Sequence, residues 1–166
     1  MTSERLTFET RVISRWQNGA GRKADIASGS GWMVGFAWLD AEAPFSDFSG
    51  QARTITLLDG PGFTLDFAPP YPALVVRSRH VPSRFDGGWP ALCRPLARCL
   101  VLNAMSIRSQ WCHDVRVLTA PTRLQAARPG AIAFLVDLTS LDTLRLDGAT
   151  ETKQFPMAHV VFTPVA

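Results

Sequence analysis

The stretch that most suggests chemistry is residues 16–23, WQNGAGRK. Gly19 and Gly21 flank Ala20, and Arg22 and Lys23 follow at once. Glycines beside basic residues are a common way for a backbone to cradle phosphate. The spacing argues against it here. A P-loop sets four residues between its first glycine and a Gly-Lys-Ser/Thr ending, whereas Gly21 is followed by Arg22, Lys23 and Ala24. A dinucleotide fingerprint needs a third glycine at position 24 and an amphipathic helix after it. Ala24 stands there, and no helical period follows.

The other reactive types are sparse. His80, His113 and His159 are far apart and form no His-x-His pair. Cys112 and His113 are neighbours, which on a strand places them on opposite faces, so they are not expected to share a metal. Each histidine reads as a surface or singly hydrogen-bonded side chain, and no metal or cofactor is expected. SGSG at 28–31 lacks the Gly-x-Ser-x-Gly elbow, and Ser46 has Asp47 beside it but no evident base. The carboxylates are scattered singly. Arginines are denser: Arg77, Arg79, Arg84, Arg94 and Arg98 share their span with one acid, Asp86. Guanidinium forks match carboxylates, so this group could hold an anion, although a solvated strand face is the commoner use.

The elements that would position these residues are strands. In RTITLL, residues 53–58, Ile55 and Leu57 share one face and Thr54 and Thr56 the other. In FTLDF, Phe63, Leu65 and Phe67 oppose Thr64 and Asp66. DGPG at 59–62 lies between them, and the whole reads as a β-hairpin with one apolar face. AFLVDL leading to DTLRL reads as a second hairpin, and Asp147–Gly148 as a turn into TETKQF. HVVFTP forms a closing strand. The two regions lie about half a chain apart and share a rhythm, a faint internal repeat. Twelve prolines and twelve glycines punctuate the chain, and only short stretches, such as 122–127, have a helical aspect.

Composition sets the class. Of 166 residues, 46% are hydrophobic and 19% charged, as in an ordinary globular chain. A net charge of +3 falls short of the concentrated basic stripe typical of nucleic-acid binders. No apolar run approaches a membrane span. MTSERLTFET lacks the apolar core of a secretory signal, and three cysteines without a CxxC pair fit buried free thiols, so the cytoplasm is the expected compartment.

With these segments in order, the sequence resembles the HutD/Ves family of small bacterial double-cupin proteins. WQNGAGR is similar to its Trp-x-Asn-Gly-Gly-Gly signature. The block FAWLDAEAPFSDFSGQARTITLLDGPGFTLDF resembles a longer family segment, and FDGG and LNAMSIRSQW resemble two later ones. The match runs from about Ser14 to Leu118 and continues more weakly beyond. Departures stand out: Ala20 replaces the middle glycine, RKADI a Thr-Arg-Glu-Ile type sequence, Met33 an arginine, Gly35 a serine and Val101 an aspartate. Polar groups have become apolar, which implies a different or more apolar ligand, or none.

The resemblance implies an all-β bicupin: two cupin-like β-barrel or sandwich halves, about 1–90 and 91–166, packed into one unit. It implies a non-enzymatic small-molecule-binding protein, regulatory and linked to histidine utilisation or stress. The ligand is expected to be a small anionic metabolite, with neither nucleic acid nor membrane as partner and with a homodimer as the assembly. The candidate ligand-binding residues are Asn18, Phe45, Arg53, Phe85 and Asn103. Arg53 would pair a carboxylate, the asparagines would orient the ligand and the phenylalanines would wall the cavity. Two alternatives stay open. One is a cupin-type enzyme acting on a small sugar or amino-acid derivative, marked by converging His, Glu or Asp side chains. The other is an interaction protein with a large exposed apolar patch.

Overall fold

The computed structural model describes residues 4–166. Its regular structure is almost wholly β, with one 3-10 turn at Phe8–Thr10. The strands, numbered along the chain, pair antiparallel throughout. The central sheet has six, in the order β2 (Ser14–Arg15), β3 (Gly21–Gly29), β4 (Trp32–Leu39), β11 (Cys99–Ile107), β6 (Gln51–Asp59) and β9 (Pro82–Asp86). A four-stranded sheet runs β5 (Ala43–Pro44), β10 (Ala91–Pro95), β7 (Phe63–Phe67) and β8 (Leu74–Val76). A five-stranded sheet runs β1 (Arg5–Leu6), β15 (Thr143–Leu146), β14 (Ile132–Asp137), β17 (Met157–Pro164) and β12 (Trp111–Leu118). β13 (Arg123–Leu124) and β16 (Thr150–Glu151) form a separate pair.

The central sheet is covered on both faces. Side chains alternate along a strand, so β4 sends Val34 and Phe36 to one side and Ala37 and Leu39 to the other. The first side meets Phe134, Val136, Val160 and Phe162 of the five-stranded sheet. The second meets Phe63, Leu65 and Phe67 of the four-stranded sheet, with Ile55 and Leu57 of β6. Burial on two faces explains why β4 and β6 read as nearly continuous apolar runs. β10 and β11, beyond residue 90, are built into sheets whose other strands precede that point.

Three local expectations are corrected. RTITLL and FTLDF are not a hairpin. β6 pairs with β11 and β9, and β7 pairs with β10 and β8. DGPG arches between two sheets, with Gly60 and Gly62 at φ +101° and +108°. The apolar faces of β6 and β7 therefore pack against each other instead of lying side by side. Alternation alone does not separate these arrangements. At the C-terminal end β14 and β15 do pair, but the turn at Asp147–Gly148 leads to β16, which joins β13 and not β15. Residues 122–127 hold no helix. Thr122 and Thr152 exchange backbone and hydroxyl hydrogen bonds, and Leu124 is buried under the outer face of the five-stranded sheet.

No helix among the described residues is long and apolar enough to cross a membrane. Cys93 and Cys99 are buried free thiols, whereas Cys112 is free and exposed.

Candidate functional site

The opening loop is a structural corner. Residues 16–21 turn β2 into β3, with Gly19 N donating to Trp16 O at 3.0 Å and Trp16 N to Gly21 O at 2.9 Å. Gly19 sits at φ +71°, which favours glycine. Gly21 is needed for a different reason: a Cβ there would come within 2.7 Å of the Trp16 ring. Asn18 Oδ1 accepts from Ala20 N at 3.1 Å and closes the turn. Ala20 is the position of the three that needs neither positive φ nor empty space, so the departure there costs the corner nothing. Trp16, seated on Gly21, packs edge-on against Phe45 with ring centroids 6.1 Å apart.

Beside this corner lies a cavity of about 550 Å³. Its floor is the face of the central sheet that the four-stranded sheet leaves uncovered: Met33 and Gly35 from β4, Val101, Asn103 and Met105 from β11, Arg53 and Ile55 from β6. Residues 44–48 and the loop around Asn18 supply the walls, and Lys23 and Asp25 stand at the side. The sequence departures at Met33, Gly35 and Val101 all fall in this lining.

Arg53 is the unusual group. It is only 5% exposed, yet it has no ion pair among the described residues, and its Nε has no hydrogen-bond partner. Its single polar contact is Nη2 to Asn103 Oδ1 at 3.4 Å. Three rings surround the guanidinium: Phe45 at 4.9 Å, Phe85 at 5.0 Å and Phe48 at 5.2 Å from their centroids. The cationic form is attracted to the ring faces. Burial nevertheless pushes its pKa down to about 10, so it remains charged at neutral pH. Most buried charges are paired; this one faces an open space instead.

Of the five candidates, Asn18, Phe45, Arg53 and Asn103 line this cavity. Phe85 lies opposite Arg53 in the β6–β9 ladder and stacks on its guanidinium, but lines a second hollow of about 510 Å³. The sequence reading missed Phe48, Trp16, Lys23, Asp25 and Met105. Met105 was legible, because it follows Val101 and Asn103 at period two. Phe48 and Trp16 lie in irregular segments with no such signal.

The arginine-rich middle is satisfied elsewhere. Arg79 pairs Asp59, Arg84 pairs Asp114, Arg94 bridges Glu42 and Asp66, and Arg98 pairs Asp40. Arg77 donates to the Phe63 carbonyl and to Thr64. The histidine reading is also corrected. His113 is buried with both ring nitrogens engaged, Nε2 with Thr54 Oγ1 at 2.8 Å and Nδ1 with Ser106 Oγ at 2.7 Å. Burial pushes its pKa down to about 4, so it is neutral and ties β12 to the central sheet. His159 is buried too, beside Arg116. Among the described residues no three His, Cys, Asp or Glu side chains gather as a metal site would need.

The stacked antiparallel sheets, with an open cavity over one sheet face, have a cupin-type fold. The HutD family model matches residues 9–163, and the chain belongs to the HutD family. HutD from Pseudomonas fluorescens SBW25 superposes with a TM-score of 0.86 at 17% identity, covering 99% of this chain and 100% of that one. A conserved protein of unknown function from Pseudomonas aeruginosa PAO1 gives 0.76 at 19% identity, over 98% and 92%. A cupin 2 conserved barrel domain protein from Leptotrichia buccalis gives 0.59 at 6% identity, over 98% and 96%. At these identities the likenesses define the fold. Among curated proteins none matches the chain.

Proposed function

We propose that this HutD-family protein binds a small carboxylate in the cavity beside Arg53, without catalysing its conversion. One observation carries the reading: a buried, cationic Arg53 that lines the cavity with an unpartnered Nε and no counter-ion among the described residues. A carboxylate is the natural complement of that fork, and burial strengthens the attraction relative to water. Asn103 keeps its Oδ1 on Arg53, which leaves Nδ2 with only the Met105 sulfur at 4.0 Å and free to donate to a ligand. Ile55, Val101, Met33 and Met105 give the ligand an apolar bed. Around Arg53 the lining is amides and apolar walls, and Asp25 stands at the side beside Lys23 with no second carboxylate or histidine in the lining, which suits capture more than acid–base work. The regulatory role, tied to histidine breakdown or stress in the cytoplasm, follows from the family resemblance.

The test is native mass spectrometry and titration calorimetry of the purified protein with urocanate and formylglutamate, with metal analysis on the same sample. Saturable one-to-one binding, abolished in Arg53→Met, is the expected result. No binding of any small carboxylate, or a stoichiometric metal in the purified protein, would overturn the reading.

A further inference from the structure

Asp25, Gly35 and Asn103 lie in one row across the cavity floor. Asp25 pairs with Gly35 across β3 and β4, and Gly35 with Asn103 across β4 and β11. All three line the cavity. Gly35 contributes no side chain, so the floor between the other two is bare. A Cβ at Gly35 would lie 3.6 Å from Asp25 Oδ1, so the carboxylate leans over that gap. At the far end of the row, Asn103 Oδ1 holds the Arg53 guanidinium. The cavity is therefore bipolar, with a buried cation at one end and a carboxylate at the other.

The carboxylate end is held in place. Arg11 Nη1 donates to the backbone carbonyls of Asp25 and Ile26 at 2.8 and 3.2 Å, where β3 bulges between Asp25 and Ala27. The side chain's only charged partner among the described residues is Lys23, at 3.2 Å, and both are about half exposed. Such a solvated pair within one strand is weak and readily exchanged.

Building on the carboxylate-binding reading above, we propose that Asp25 is a specificity residue and that the ligand is bipolar. Its carboxylate meets Arg53 and Asn103, and a nitrogen-borne hydrogen meets Asp25. Two strand intervals, about 10 Å of backbone, separate Asp25 from Asn103. The fit is to a small molecule with a carboxylate at one end and an N–H at the other, such as an amino acid or an imidazole carboxylate.

Matched probes test this. Calorimetry compares urocanate with cinnamate, which keeps the planar acid and replaces imidazole by phenyl, and γ-aminobutyrate with butyrate. Wild-type protein is expected to prefer the nitrogen-bearing member of at least one pair by tenfold or more. Asp25→Ala, a change at an exposed position, should erase that preference while leaving cinnamate and butyrate affinity within twofold. Arg53→Met should abolish binding of both members. Equal affinity within both pairs, or a preference that survives Asp25→Ala, would overturn the bipolar assignment and leave carboxylate binding intact. Failure of all four probes to bind wild-type protein would overturn both readings.

Discussion

Arg53 and Phe85 face each other across the β6–β9 ladder, and the guanidinium rests 5.0 Å from the ring centroid. With Phe45 and Phe48 on its other sides, the cation is wrapped in aromatic faces in place of a carboxylate. That arrangement keeps a charge out of water and leaves its hydrogen-bonding fork for something else.

The charge should therefore weaken the ligand-free fold. Arg53 binds its proton less tightly when folded, so its cationic form disfavours the native state at every pH below about 10. The penalty is about 3 kcal/mol before ring contacts are counted. Methionine fills the cage with an apolar, sulfur-bearing chain that suits aromatic neighbours. Arg53→Met should stabilise the empty protein by about 1–3 kcal/mol in urea unfolding while losing carboxylate binding. Loss of stability would show that Arg53 serves the fold.

Acid should unfold the protein through its histidines. His113 drops from the usual 6.5 to about 4 on folding, so between these values the unfolded chain takes up the proton first. Its contribution is whole above about pH 6.5 and is lost as the pH falls toward 4, by as much as about 3 kcal/mol. His159 and His80, also lowered by burial, act in the same direction. Urea midpoints measured from pH 7 to 4 should fall steadily, and His113→Asn should flatten the slope at the expense of stability at pH 7.

The two signature glycines should fail differently. Gly21→Ala places a methyl against the Trp16 ring and the Trp38 carbonyl, and should cost about 1–3 kcal/mol while shifting Trp16 off Phe45. Gly19→Ala has open space around it and strains only the positive φ, at about 1 kcal/mol. Urea melts paired with ligand titration separate them: the first variant should lose affinity as well as stability, the second stability alone.

Much of the cavity floor was readable because strands alternate. Arg53 shares the face of Ile55 and Leu57 in an otherwise buried run, and Asn103 sits between Val101 and Met105 in the same way. What the sequence concealed was which strands meet. The period-two pattern of β6 and β7 is the same whether they pair edge to edge or stack face to face, and they stack. Phe48 reaches Arg53 from an irregular loop with no periodicity. Asp25 shares its face with Gly21 and Lys23 by ordinary alternation, ahead of the bulge, and what stayed hidden was that this face of β3 meets Gly35 at the cavity floor. His113 looked like an isolated surface group because its two hydroxyl partners lie 59 and 7 residues away.

The arch between β6 and β7 has a bearing on how the chain acquires its shape. β7 finds one ladder partner next door in β8, but β6 must wait for β9 and β11, and β4, already paired with β3, waits for β11 on its other edge. Pairing across such separations closes long loops before contacts reward it, which slows folding. On a ribosome, the middle of the central sheet stays open until Cys99–Ile107 has emerged, although every other floor strand of the cavity is already made. Asn103 arrives with that strand, so the carboxylate site and the keystone of the sheet are completed in one event.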